Sequence, residues 1–234
     1  MTAEQTAAVV SLAVERVFAA VSRVRELVLE SNRTATDRGE ALREVDVDAL
    51  RPSLLQLLAE TPTAIGLGVI FAPELLPRRG LEWWQSAPDL SAPSRLEVDL
   101  RSDSLDFYDY AAAEWFVVPR QTGERHVAGP YVDVHGTDRY LLTFTEPIVA
   151  DGRFLGVAGV DVPVARFETL VLQALSDLPV NVVLIAEEGR VVLSTWSRWV
   201  TGELVPAAAA PSRLTLPGLP WQLSMEAGPG DPWR

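Results

Sequence analysis

The chain has 234 residues with no cysteine and no lysine, and 32 acidic against 20 basic side chains give a formal net charge of -12. Hydrophobic residues make up 48% and charged residues 22%, proportions of a folded globular chain rather than a disordered one or a membrane bundle. These figures exclude disulfide frameworks, cysteine-ligated zinc, Schiff-base chemistry and a lysine-containing P-loop, and they set long-range repulsion against nucleic acid as a partner.

Met1 to Gln5 carry an acid and no base, and Glu15 interrupts the apolar stretch that follows, which is not the pattern of a secretory signal. No run approaches the roughly 20 apolar residues that a spanning helix requires. The expectation is a cytoplasmic protein with no membrane contact. Val10, Val14, Val17, Val21, Val24 and Val28 alternate spacings of four and three, which predicts one apolar stripe on a helix from about Ala3 to Leu29. Such a stripe either joins a second copy in a homodimer through this N-terminal helix or lies along the protein's own core.

A polar segment with Asn32, Thr34, Thr36, Asp37 and Gly39 precedes a second apolar helix around Val47 to Ala59, which stops at Thr61 and Pro62. Ala64 to Phe71 reads as a strand buried on both faces, and Leu96 to Leu100 as a half-exposed strand, with a loop rich in proline and tryptophan between them. Tyr140 to Val149 and Arg153 to Val162, joined by Ala150, Asp151 and Gly152, form an antiparallel hairpin. Ala165 to Leu175 is a connecting helix. Val180 to Ala186 with Arg190 to Thr195, and Arg213 to Leu216 with Trp221 to Glu226, repeat the hairpin theme on a smaller scale.

This order is an α+β layout: a long N-terminal helix (1–31), a larger antiparallel unit (32–163), a linking helix (164–178), a small second antiparallel unit (179–227) and a tail (228–234). It lacks the regular strand and helix alternation of a doubly wound sheet.

The densest polar and aromatic cluster is Phe107-Tyr108-Asp109-Tyr110-Ala111-Ala112-Ala113-Glu114-Trp115-Phe116, whose alanines suggest a short helix, followed later by Gly129-Pro130-Tyr131-Val132-Asp133. Aromatic faces attract cations, and a carboxylate nearby adds charge. The plainer alternative is that Tyr108, Trp115 and Phe116 only pack the core. Trp83 and Trp84 are candidates for a pocket rim, or cover core or an interface.

In its order of motifs the chain resembles the double Cache sensor domains, which are PAS-like and also known as PDC domains. The resemblance rests on the long first helix, Gly66-Leu67-Gly68-Val69-Ile70-Phe71 before Pro73, the tyrosine-to-tryptophan stretch, Gly-Pro-Tyr-Val-Asp, and Gly156-Val157-Ala158-Gly159-Val160-Asp161. It implies a larger PAS-like ligand-binding unit and a smaller PAS-like one. Tyr108, Trp115, Tyr131, Asp133 and Asp161 look like the ligand-binding positions of the amino-acid-binding subgroup, with Phe116 in place of a tyrosine and Ala113 in place of an arginine. In that family the arginine and the tyrosine hydroxyl hold the ligand's carboxylate, and the aspartates and aromatic rings receive its ammonium group. Their loss matches a related subgroup that recognises amines.

The reading is therefore a non-catalytic sensor of signal transduction that binds a small cationic amine or quaternary ammonium through Tyr108, Trp115, Phe116, Tyr131, Asp133 and Asp161. No cofactor and no metal is expected, and its output partner acts in trans. An amino-acid sensor is the alternative if Arg101, Arg120, Arg125 or Arg139 fills the vacancy, and a protein-interaction module with a vestigial pocket is another. Asp133 capping a turn and Asp161 bonding backbone amides are the structural alternatives for the acids. Paired carboxylates with His126 or His135 nearby could serve proton transfer or an oxygen-rich metal site, but no reaction motif, such as a Gly-x-Ser-x-Gly elbow, accompanies them.

Overall fold

Apolar periodicity and proline placement account for the helices of the computed structural model, which describes residues 2–76, 79–86, 92–133, 139–175, 180–206 and 213–227. Helix α1 runs from Ala3–Asp37, further than the predicted Leu29. The threonines expected to end it bond back into it instead: Thr34 Oγ1 donates to the Glu30 carbonyl and Thr36 Oγ1 to the Asn32 carbonyl, each at 3.0 Å. The six stripe valines are all at most 1% exposed within the single chain, so a homodimer through this stripe has no free apolar surface to use. The predicted second helix is two, α2 (Glu44–Asp48) and α3 (Arg51–Glu60), and Pro52 in the first turn of α3 fits the break.

The chain forms two compact units, one of residues 17–128 and 132–163, the other of residues 1–16, 129–131 and 164–234. The first holds most of a six-stranded antiparallel sheet, order β3-β2-β1-β6-β5-β4. The strands are β1 (Gly66–Phe71), β2 (Leu81–Gln85), β3 (Ser94–Arg95), β4 (His126–Val132), β5 (Tyr140–Ala150) and β6 (Arg153–Pro163). The β5–β6 hairpin closes on Asp151 and Gly152, both at positive φ, as a tight hairpin turn demands. Two expectations fail here. The tryptophan-rich segment is strand β2 rather than a loop, and Leu96 to Leu100 contributes only a bridge between Asp99 and Phe107 beyond the two-residue β3.

Because side chains alternate across a strand, the register sorts this sheet into two faces. One carries Leu67 and Val69, Val160 and Ala158, Phe144 and Glu146, with Glu82 and Trp84 from β2. Helix α1 covers it, with the Phe18 and Phe144 rings edge to face at 5.4 Å and Ser22 donating to Glu146 at 2.9 Å; from α3, Arg51 lies 4.7 Å over the Trp84 ring. The other carries two transverse rows, Gln85-Gly66-Asp161-Thr143 and Trp83-Gly68-Gly159-Thr145. This second face is the glycine face below.

The glycine face is covered by α4 (Glu114–Thr122), preceded by one turn of 3-10 helix at Tyr110–Ala112 and closed by Gly123 in the left-handed conformation. The short helix predicted for the Phe107 cluster thus begins only at its end. Register between β5 and β6 shifts after Ile148, so that Phe154 pairs with Val149 and its ring meets Phe116 of α4 at 5.6 Å.

In the second unit, α5 (Val164–Leu175) precedes a four-stranded antiparallel sheet, order β8-β7-β10-β9. Its strands are β7 (Val180–Ala186), β8 (Val191–Ser194), β9 (Arg213–Thr215) and β10 (Trp221–Ala227), so the two predicted hairpins join through their long strands. Val183, Ile185, Val191, Trp199 and Val205 form a core with Trp196 against it, and Phe167 of α5 meets Trp221 at 5.4 Å. The architecture is α+β, with a long N-terminal helix and two antiparallel sheets.

Candidate functional site

Paired glycines leave room on the glycine face, and Trp83 fills it. A Cβ added to Gly66 would lie 2.6 Å from Trp83 Nε1, and one added to Gly159 would lie 3.1 Å from two carbons of its six-membered ring. The indole therefore spans both glycine positions, pressed against the sheet, with 3% of its surface exposed. The same point above Gly66 is 3.5 Å from Asp161 Oδ2. A buried carboxylate thus sits at the edge of a buried aromatic ring.

Asp161 is 7% exposed, and Thr143 Oγ1 donates to its Oδ1 at 2.7 Å. Burial pushes its pKa up to about 7 from 3.8, the negative charge of Asp133 adds to the rise, and the Thr143 bond opposes it. Tyr108 faces both acids: its hydroxyl is held above its ordinary pKa by burial and then by the charges of Asp133 and Asp161. Asp133 is half-buried just beyond β4, and its backbone N–H donates to the Arg139 carbonyl at 2.9 Å. The structure brings Tyr108, Asp133 and Asp161 into one electrostatic cluster beside Trp83.

Trp115 and Phe116 open α4 over this face. Thr145 Oγ1, from the Trp83 row, donates to the Trp115 carbonyl at 2.9 Å and pins the start of the helix to β5. Phe116 is fully buried and edge to face with Tyr110 at 5.5 Å and Trp115 at 6.3 Å. Tyr131 clusters with Gly129 and Pro130 in the other compact unit. Trp84 lies on the opposite face from Trp83 and donates its Nε1 proton to Glu82 Oε1 at 2.9 Å. Tyr108 also borders a hollow of about 340 Å³ shared with Gly80, Leu100, Arg101, Phe107 and Tyr110.

Three of the four arginines weighed for the Ala113 vacancy are occupied elsewhere. Arg101 pairs with Asp99 at 2.8 Å, Arg120 lies 5.9 Å over the Phe154 ring, and Arg125 lies 4.4 Å over the Phe18 ring. Arg139 meets Asp133 through its backbone. Among the described residues no arginine forms an ion pair with Asp161. His126 is held by Glu114 Oε1 at 2.8 Å, while His135 lies outside the described residues. No group of three or more His, Cys, Asp or Glu side chains among the described residues could hold a metal ion.

Thr143, Thr145, Gln85, Gly66 and Gly159 complete the same face without having been singled out from the sequence. Their signal was present: two threonines two apart in an otherwise apolar strand, and glycines two apart at Gly66 and Gly68. No helix among the described residues is long and apolar enough to cross a membrane.

Comparison with known proteins bears on the family and the fold. The family model described as methyl-accepting chemotaxis protein-like, first PDC sensor domain, matches residues 50–169. Methyl-accepting chemotaxis protein TlpQ of Pseudomonas aeruginosa is 29% identical over a match of 133 residues that covers 48% of this chain and 19% of that protein. The chain therefore matches only about a fifth of that relative's length. A solved structure described as methyl-accepting chemotaxis protein X superposes with a TM-score of 0.57 at 15% identity, covering 92% of this chain and 96% of that one. The ligand-binding domain of the Pseudomonas aeruginosa PAO1 amino acid chemoreceptor PctB, in complex with L-Arg, gives 0.56 at 15% identity, covering 96% and 91%. At such identities the structural likeness shows the fold. Since the family model spans just over half of the 234 residues and takes in all six strands of the larger sheet, the chain belongs to the methyl-accepting chemotaxis protein-like first PDC sensor domains.

Proposed function

We propose that the larger unit is a non-catalytic sensor whose glycine face takes a small amine or quaternary ammonium. Asp161 and Asp133 supply the negative charge, and Trp83, Tyr108, Trp115 and Phe116 supply ring faces or the apolar wall behind them. Tyr131 is assigned to the same ligand on its resemblance to the family position. One observation carries the reading: a buried acid held only by a threonine hydroxyl among the described side chains, with Arg101, Arg120 and Arg125 engaged elsewhere. Burying a lone carboxylate is costly, and a cationic guest offsets that cost where a zwitterion would bring an anion with no guanidinium to meet it. Occupancy then shifts the population of conformers, and a separate signalling partner reads the shift.

An amino acid is the second reading, supported by the L-Arg complex of PctB. Calorimetry of the purified chain against choline, a polyamine, biogenic amines and a set of amino acids decides between them. The amine reading expects saturable binding that Asp161→Asn and Asp133→Ala each weaken by tenfold or more. Saturable binding of amino acids with none of amines overturns it, as does amine binding indifferent to both substitutions.

A further inference from the structure

Two neutral donors on the glycine face have no acceptor. Trp83 Nε1 and Gln85 Nε2 are buried and make no hydrogen bond among the described residues. Trp84 next to them shows what a buried indole N–H normally finds, since its proton goes to Glu82 Oε1. Trp83 Nε1 instead comes within 2.6 Å of the same point above Gly66 that lies 3.5 Å from Asp161 Oδ2. Gln85 is the cross-strand partner of Gly66, in the row that ends at Asp161 and Thr143. An orphan donor and the acid therefore border the same position over Gly66.

Resting on the amine reading, we infer that the ligand carries a hydrogen-bond acceptor vicinal to its ammonium group: Asp161 takes the cation, and Trp83, with Gln85 beside it, donates to the acceptor. A vicinal amino-oxygen pair holds its two heteroatoms about one hydrogen-bond length apart, close enough to be shared by a donor and an acid that border the same position. A plain alkylamine or tetraalkylammonium would leave both donors unmet, and an unmet buried donor costs more than the bond itself contributes. Trp83 and Gln85 are thus specificity-determining residues.

Four probes of equal carbon count separate the outcomes by calorimetry: 1-aminobutane, 1-amino-2-butanol, 4-amino-1-butanol and 2-aminobutyrate. The expected result is that 1-amino-2-butanol binds about 3- to 10-fold more tightly than 1-aminobutane, with no gain for 4-amino-1-butanol. Trp83→Phe keeps a ring and removes the donor, so it should erase that preference by weakening 1-amino-2-butanol more than 1-aminobutane; Gln85→Leu should reduce it. The Trp83 indole N–H resonance, identified by its loss in Trp83→Phe, should move downfield with 1-amino-2-butanol and stay in place with 1-aminobutane. Equal affinity for the two isomeric amino alcohols, or a preference that survives Trp83→Phe, overturns this inference and leaves the amine reading standing. A preference for 2-aminobutyrate that depends on Trp83 supports the vicinal acceptor and overturns the amine reading in favour of an amino acid. Failure of all four to bind overturns this inference, and the amine reading falls with it when choline, the polyamine and the biogenic amines fail as well.

Discussion

Thr143 donates its hydroxyl to Asp161 across the β5–β6 ladder at 2.7 Å, and this bond works against the burial that raises the acid's pKa. Removing the donor as Thr143→Val should raise the Asp161 pKa further above about 7 and weaken amine binding more below that pH than above it. An affinity profile whose midpoint moves to higher pH in the variant is the expected observation from calorimetry at a series of pH values.

Asp161 also sets a pH dependence of stability whose sign is opposite to that of a salt-bridged acid. Its folded pKa of about 7 lies above the ordinary 3.8, so the folded state binds the proton more tightly than the unfolded one. The resulting stabilisation is full below the ordinary value and is lost as pH rises through about 7, on the order of 1.4 kcal/mol per pH unit inside that window. Asp161→Asn should remove this slope and be more stable than the parent at pH 8 in the absence of ligand. Thermal melts of both proteins from pH 5 to pH 8 measure the difference directly.

Ligand binding inverts that trend. A cation selects the ionised acid, so below pH 7 each bound amine releases a proton from Asp161, and affinity should fall about tenfold per pH unit there. Calorimetry in two buffers of different ionisation enthalpy reads the released proton as a difference in apparent heat. Above pH 8 the heats should agree.

The space over Gly66 is reserved for the Trp83 indole. Gly66→Ala places a methyl group 2.6 Å from Trp83 Nε1 and should destabilise the protein by about 1–3 kcal/mol, with the ring displaced. Combining it with Trp83→Phe should cost less than the sum of the two single changes, because the smaller ring leaves the room the methyl needs. Denaturant melts of the four proteins provide the cycle.

Phe116 anchors α4 through three ring contacts and is fully buried. Phe116→Ala should cost about 3–5 kcal/mol by leaving a cavity under the helix, far more than Trp84→Phe, which keeps most of the ring volume. Melting temperatures of the two variants compare them.

Where one face of an element was wet, its pattern was visible in the sequence. The valine stripe of α1 and the β5–β6 hairpin around Asp151 and Gly152 were legible because period and turn chemistry survive without tertiary context. Strand β2 was not, because Leu81, Glu82, Trp83 and Trp84 are all buried and a strand covered on both sides shows no alternation. Leu96 to Leu100 misled in the opposite sense, since alternation arose there with almost no ladder to support it. For the site, Tyr108, Asp133 and Asp161 were named through family resemblance, whereas the placing of Trp83 against Gly66 and Gly159 depends on a register that only three paired strands together define.

Strand β2 has a working side and a load side. Trp83 presses on the glycine face while Trp84, one residue along the same backbone, carries the Arg51 guanidinium of α3 on its back. The two indoles share one stretch of backbone, so strand β2 ties the covering of the glycine face to the packing of α3 on the opposite face.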